Sequence, residues 1–563
     1  MRVGQGGARL PRCGVRPAKL PNVHRSPGAF CGIIDLRGPA LSLSTSSTEQ
    51  HPHVNPWIVA IAVMFATFME VLDTTVVNVS LPHIAGNLSV SVDEAAWALT
   101  SYLVANAIIL PMTGWLANYF GRKRMLTAAV FGFTAASFMC GLAPNLASLV
   151  VFRVIQGATG GALQPLSQAV MLEAFPPQDR GKAMAFWGLG IVVAPMLGPV
   201  IGGWLTDNYS WRWVFYINLP VGLGSILMTR WFIFDPPYIR RSNRGIDYWG
   251  MGMLALGVGA LQIVLDKGQE EDWFASHWIS VLGMIAVLAL LAFVIRELRT
   301  RDPVVHLRVF KVRTYSAGVF LMTVLGFVLY GSLLLVPIFL QTLLGYPALN
   351  AGIAMAPRGL GSFLMMPVVG TVLGKFDPRK VLAVGLVGAS WTLYALSRLN
   401  LQAGYWDIFW PQFIQGASLA LLFVPLTTAT MDPIPKEEMG NATSMFNLMR
   451  NLGGSFGIAS ATTYLFRREQ FHTNLLTARV TAFNPQMQIM TRGIQANMVA
   501  HGADPVTAAH QSYGVIWGMV LRQAAMVSFV DTFLAMAVVF LLVLPLLTVM
   551  KKPRHYRGGA AAH

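Results

Sequence analysis

The chain has 563 residues, of which 54% are hydrophobic and only 12% charged. A soluble domain carries roughly twice that charged share, so the composition excludes an ordinary water-soluble protein and points to a membrane protein. The formal net charge of +16 sits in the connections between apolar runs, which marks topology and excludes a nucleic-acid partner as its explanation.

Residues 1–53 are rich in Gly, Pro, Arg and Ser and hold no apolar core of signal-peptide length. They read either as a disordered extension or as sequence upstream of a later true start, and carry no assigned function. Beyond them, apolar runs of about 18–25 residues recur to the end, about 14 in all, each long enough to span a bilayer. All are expected as helices, because an open strand cannot satisfy its backbone in lipid. The expected fold is all-α: a six-helix bundle over 54–236, an inserted two-helix segment over 237–300, a second six-helix bundle over 301–552, and a tail over 553–563. Arg122-Lys123-Arg124, Arg180 with Lys182, Arg240-Arg241 with Arg244, Arg379-Lys380 and Lys551-Lys552 recur on one side. That pattern predicts cytoplasmic termini. A long segment, 466–522, then falls on the opposite side, and is expected to be a functional or disordered loop.

Charges inside apolar runs are costly and rare, so each is a functional candidate. The first run carries Glu70 and Asp73, three residues apart and so on one helix face. Two carboxylates so placed compete for ionisation, which suits proton exchange, although either could be a structural cap or pair. Arg153 cannot shed its proton and needs an anionic or strongly polar partner. Arg358 and Arg450 are its second-half counterparts, and are expected to bond helix-end carbonyls near Pro357 or near Gly453-Gly454. The one acid that falls inside a second-half run is Asp531.

Gly190, Ala194, Gly198 and Gly202 recur every fourth residue, and Pro195 and Pro199 interrupt the same run. Small residues at that spacing let helix backbones approach closely, and the prolines bend the helix. This face is expected to pack on a second-half helix and to close one state of the protein. Trp97, Gln164, Gln168, Trp187, Tyr330, Gln341, Met355 and Arg358 are candidates to line a cavity, and each has simple helix packing as its alternative. The three cysteines, Cys13, Cys31 and Cys140, show no metal spacing and no disulfide framework. No phosphate-binding loop, nucleophile–base motif or cofactor motif stands out, so neither an enzyme nor an ATP-driven pump is expected.

An internal repeat is visible. Gly114-Trp-Leu-Ala-Asn-Tyr-Phe-Gly121-Arg122-Lys123 is echoed by Gly370-Thr-Val-Leu-Gly-Lys-Phe-Asp-Pro-Arg379-Lys380. Ile155-Gln156-Gly157-Ala158 is echoed by Ile414-Gln415-Gly416-Ala417, and Pro165-Leu166-Ser167 by Pro425-Leu426-Thr427. Weak internal symmetry of this kind marks a transporter made of related bundles with its site between them.

These stretches also carry a resemblance. Leu72-Asp73-Thr74-Thr75-Val76-Val77-Asn78-Val79 with Leu81-Pro82, the loop from Gly114 to Arg124, Arg153 with Gln156-Gly157, the Gly/Pro run 188–203, and Trp211-Arg212-Trp213 with Phe215-Tyr216-Ile217-Asn218 are together similar to the fourteen-span drug:proton antiporter branch of the major facilitator superfamily, of EmrB/QacA type. The resemblance implies efflux of amphipathic small molecules against protons by alternating access, in a bacterial inner membrane, powered by the proton gradient with no cofactor. The same mechanism exporting a metabolite, fatty acid or siderophore is the alternative. It implies that Asp73, Glu70 and Arg153 carry proton coupling, with Arg153 next to Asp73. Gly114, Gly121, Arg122 and the Gly/Pro face 190–202 would serve gating. Asn118 stands where the loop motif usually has an acid, which leaves that position uncharged for an ionic lock. The resemblance further implies a periplasmic adaptor of EmrA type and an outer-membrane channel of TolC type as partners, with 466–522 as the docking surface.

Overall fold

Each apolar run satisfies its own backbone as a helix, and polar caps set where the helices begin. In the computed structural model the described residues are 55–235, 247–300, 303–373, 375–481 and 483–550. The N-terminal extension, Arg240, Arg241, Arg244 and the C-terminal tail lie outside them. In chain order the helices are α1 (Pro56–Leu88), α2 (Val92–Ala95), α3 (Trp97–Phe120), α4 (Arg122–Leu142), α5 (Leu146–Gly160), α6 (Leu163–Ala174), α7 (Arg180–Asn208), α8 (Trp213–Tyr216) and α9 (Asn218–Phe232). Then follow α10 (Tyr248–Lys267), α11 (His277–Arg299), α12 (Arg313–Ile338), α13 (Ala348–Val372), α14 (Pro378–Leu396), α15 (Tyr405–Met431), α16 (Met439–Thr477), α17 (Pro485–Ala500) and α18 (Pro505–Val543). Asn55 caps α1 by accepting from the Trp57 amide at 3.0 Å, and Asp504 caps α18 in the same way; proline holds the first helical position of both.

Eleven helical stretches among the described residues are long and apolar enough to cross a membrane. Three further helices fall short of that measure for visible reasons. Helix α9 has only 15 residues, α14 opens on Arg379 and Lys380, and α16 carries Asn441, Asn447, Arg450 and Asn451.

The packing repeats between the halves. Helix α1 lies on α7 as α12 lies on α16, α3 on α5 as α13 on α15, and α4 on α9 as α14 on α18. The halves meet where α7 packs on α13 and α15, and where α16 packs on α3 and α6. The hairpin of α10 and α11 sits outside, with α10 against α3 and α16, while α11 turns Met284, Val287, Leu288 and Leu291 outward. Such an apolar outer face matches lipid rather than water.

The segment expected as a loop over 466–522 is helical. Helices α16 and α18 each run for 39 residues, about 58 Å at 1.5 Å per residue and roughly twice the hydrocarbon thickness, with α17 between their far ends. A helical extension of mixed polarity, such as 466–477, is invisible to an apolar-run criterion, which explains the difference.

Candidate functional site

The first-half helices converge on Asp73. Its carboxylate, on α1, is fully buried, as is Arg153 on α5. Arg153 Nη1 donates to Asp73 Oδ2 at 2.6 Å and to Gln156 Oε1 at 2.8 Å, while its Nε donates to the Ala98 carbonyl at 2.9 Å. Asp73 Oδ1 accepts from Gln156 Nε2 at 2.9 Å and from Asn218 Nδ2 at 2.7 Å. The Tyr102 ring lies 4.2 Å from the guanidinium carbon, a cation–π contact. Both halves of the ion pair thus have further hydrogen bonds, the condition under which a buried pair is tolerated. Arg153 meets Asp73 as the resemblance implied.

Glu70 belongs to a different network, one helical turn away. Asn106 Nδ2 donates to Glu70 Oε1 at 3.0 Å, while Oε2 is buried with no hydrogen-bond partner. The Gln164 amide and the Arg450 charge lie beside it. Arg450 of α16 donates to Gln164 of α6, so this network crosses between the halves. Two more bonds run alongside it. Asn447 Nδ2 donates to Gln168 Oε1 at 2.5 Å, and Thr443 Oγ1 to the Pro165 carbonyl at 3.1 Å. Gly114 is pressed on the Asn441 backbone, where a Cβ would lie 2.6 Å from Asn441 Cα. These contacts close the end of the molecule that carries the basic turn Arg122-Lys123-Arg124.

At that turn Gly121 has φ +91°, a conformation that favours glycine. Arg122 is buried and pairs with Glu173 at the end of α6. Asp235 Oδ1 accepts from the Lys123 amide at 2.8 Å and so caps α4. Charge is therefore supplied from Glu173 and Asp235 rather than from position 118. Neither acid was singled out by sequence; each lies near the end of a helix, which was the available signal.

Three expectations are corrected. The face of Gly190, Gly198 and Gly202 meets Met64, Thr75 and Val76 of α1, not a second-half helix. It is the opposite side of α7, through Gly181, Gly188 and Met196, that meets α13 at Gly370, Met366 and Gly359. Pro195 and Pro199 lie inside α7. Second, Arg358 and Arg450 bond side chains instead of carbonyls: Arg358 Nη2 donates to Ser332 Oγ at 3.0 Å, and Arg450 to Gln164. Asp531 serves neither, because Arg468 Nε and His472 Nε2 of α16 hold it at 2.7 and 2.8 Å. Third, the eight cavity candidates do not form one lining. Gln164 and Gln168 are interface residues, and Trp187 donates to Thr67 Oγ1 at 3.1 Å and stacks on Phe423. Tyr330 lies against Gly454, Met355 is half-buried at the main core, Gln341 is exposed on a π-helical turn after α12, and Trp97 is exposed beside the Lys267 ammonium.

A family model described as Major Facilitator Superfamily matches residues 63–458. Multidrug export protein EmrB of Haemophilus influenzae is 41% identical over 77% of this chain and 84% of its own length. Fatty acid resistance protein FarB of Neisseria gonorrhoeae is 37% identical over 89% of this chain and 97% of its own. The crystal structure of the human organic anion transporter MFSD10 aligns over 88% of this chain and all of that one with a TM-score of 0.56, at 13% identity, a likeness of fold.

Proposed function

Because this chain belongs to the major facilitator superfamily, we propose that it exports amphipathic drugs or toxic compounds in exchange for protons, by alternating access across the inner membrane. The name of the Haemophilus relative supports the substrate class. The single observation that carries the mechanism is the buried Asp73–Arg153 pair at 2.6 Å. A proton added to Asp73 cancels one charge of the pair and weakens its hold on Arg153 and Asn218. The helices that bear those groups, α1, α5 and α9, are then free to shift. The bonds from α16 to α6 keep the basic end shut, so transport in this scheme requires them to part. Energy comes from the proton gradient, with no cofactor. The positive-inside rule, applied to the basic turns, supports a cytoplasmic location for that end and for both termini.

A second reading, export of a fatty acid or another endogenous compound, is favoured by the name of the Neisseria relative. A periplasmic adaptor and an outer-membrane channel are proposed as partners, with the extension of α16 to α18 as their docking surface.

The test is Asp73→Asn in proteoliposomes. The variant should insert with a lowered unfolding midpoint, because Arg153 is left without its counter-charge, and should lose drug-dependent proton movement. Antiport at the wild-type rate would remove Asp73 from the mechanism.

A further inference from the structure

The internal repeat places a second polar node in the other half of the molecule. Gln415 of α15 takes the place of Gln156 on α5, and Gln412 takes that of Arg153. Gln156 Nε2 bonds Asp73 of α1; Gln415 Nε2 bonds Ser332 Oγ of α12 at 3.3 Å. Gly157 is pressed on the backbone of Tyr102 in α3, and Gly416 on that of Arg358 in α13. The two nodes therefore share one architecture. Their charges differ. In the first, a guanidinium on α5 faces a carboxylate on α1. In the second, the guanidinium has moved to α13 and a serine stands in the place of the carboxylate.

The second node is left one anion short. Ser332, Arg358, Gln412 and Gln415 are all at least nine-tenths buried. Arg358 Nη1, both polar atoms of the Gln412 amide and Gln415 Oε1 have no hydrogen-bond partner. Among the described residues no carboxylate lies within ion-pair distance of Arg358. A buried cation without a counter-charge is strongly unfavourable, and orphaned buried donors add to it. One added anion accounts for the charge and for the two orphaned donors, Arg358 Nη1 and Gln412 Nε2. It takes the role that Asp73 plays for Arg153, with the Arg358 guanidinium and the Gln412 amide as its donors.

We propose that Ser332, Arg358, Gln412 and Gln415 form a binding site for a single monovalent anionic group, a halide ion or the carboxylate of an amphipathic acid. One guanidinium matches one negative charge. The site stands independently of the efflux reading when the anion is inorganic, and rests on that reading when the carboxylate belongs to a transported compound.

The test uses the purified full chain in detergent and its thermal unfolding midpoint. Sodium chloride and sodium benzoate are titrated separately at constant ionic strength set with sodium sulfate, and benzyl alcohol serves as the neutral analogue of benzoate. The wild type should show a saturable rise with at least one anion and none with benzyl alcohol. Arg358→Met should lose the rise, and Arg358→Lys should keep it with about tenfold weaker apparent affinity, a difference of about 1.4 kcal/mol. Ser332→Asp supplies the missing carboxylate from within, so it should fold and lose all response, which keeps the test decisive if Arg358→Met fails to fold. A chloride response that benzoate does not compete away identifies an inorganic anion; competition by benzoate identifies the acidic group of a substrate. No saturable response in the wild type, or an unchanged response in Ser332→Asp, overturns the site. Export is measured separately, so loss of the efflux reading with anion binding intact leaves the site standing.

Discussion

Asp73 and Arg153 form one unit rather than two independent side chains. Removing a single partner strands a buried charge, which costs about 3–5 kcal/mol, whereas removing both leaves only polar groups. Arg153→Gln alone should therefore lower the unfolding midpoint more than the double variant Asp73→Asn/Arg153→Gln does. Thermal unfolding of the purified proteins checks this, and strictly additive losses would show that the two residues do not interact. A second ion pair joins the last turn of α11 to Asp247, which lies just outside the spans. Arg296 Nε and Nη2 donate to Asp247, the cap of α10, at 3.0 and 2.7 Å, and these bonds hold the Asp247 carboxyl below its ordinary range. A carboxyl lowered on folding stabilises the fold above its unfolded value and loses that contribution as pH falls through the folded one. The stability gap between wild type and Arg296→Gln should stay level from about pH 5 to 8, and close only below about pH 4. Unfolding midpoints measured across that range read the outcome directly.

The α1–α7 pair is where small residues do their work. A Cβ on Gly198 would collide with the Thr75 side chain, while one on Gly203 meets nothing within 4 Å. Gly198→Leu should force α7 off α1, an overpacking cost of about 1–3 kcal/mol or more, and Gly203→Leu should be near neutral. Equal unfolding midpoints for the two variants would discount this contact. Because the partner is α1, Gly198→Leu acts on the helix that carries Asp73 and Glu70. Its effect on antiport should therefore come through the position of those acids, with no direct loss of the α7–α13 contact between the halves.

Across the whole molecule, one end is held shut by side chains and the other extends in helices. Gly114 lies where α3 crosses α16, so Gly114→Leu acts as a wedge against the Asn441 backbone. It should open the basic end. A cysteine placed at the buried Ser444 should then react with a maleimide several times faster than in the otherwise wild-type chain. Equal labelling would mean that this crossing does not gate. The helical extension redefines how its role is tested. Deleting 466–522 would remove Arg468 and His472, which hold Asp531, and Arg522, which donates to the Leu343 carbonyl at 2.8 Å. Removing α17 alone, by joining 477 to 505 through a short linker, spares these bonds. Drug transport in vesicles should then persist while resistance of whole cells falls, if an adaptor docks there. Full cellular resistance would place the docking surface elsewhere.

Much of this was legible in the linear chain, because lipid leaves the backbone few choices. Apolar run length, loop charge and the repeated Ile-Gln-Gly-Ala string were enough for an all-helical fold in two related halves, and intramembrane charge alone singled out Glu70, Asp73 and Arg153. The pairing of Asp73 with Arg153 came from the resemblance, in which the first and fourth spans are neighbours, and α1 and α5 carry it. Tertiary structure decided the rest. Which side of α7 meets α1 and which meets α13 depends on rotation about the helix axis, and Gly188 and Gly190, two residues apart in sequence, ended on different partners. Gln164 and Gln168 became interface groups rather than cavity lining because α16, nearly 300 residues away, presents Arg450 and Asn447 to them. The isolation of Arg358 from every described carboxylate could not be read from its neighbours in sequence. It arises only when α12, α13 and α15 meet and the place matching Asp73 is filled by Ser332, for a charge is paired or stranded by what surrounds it in space.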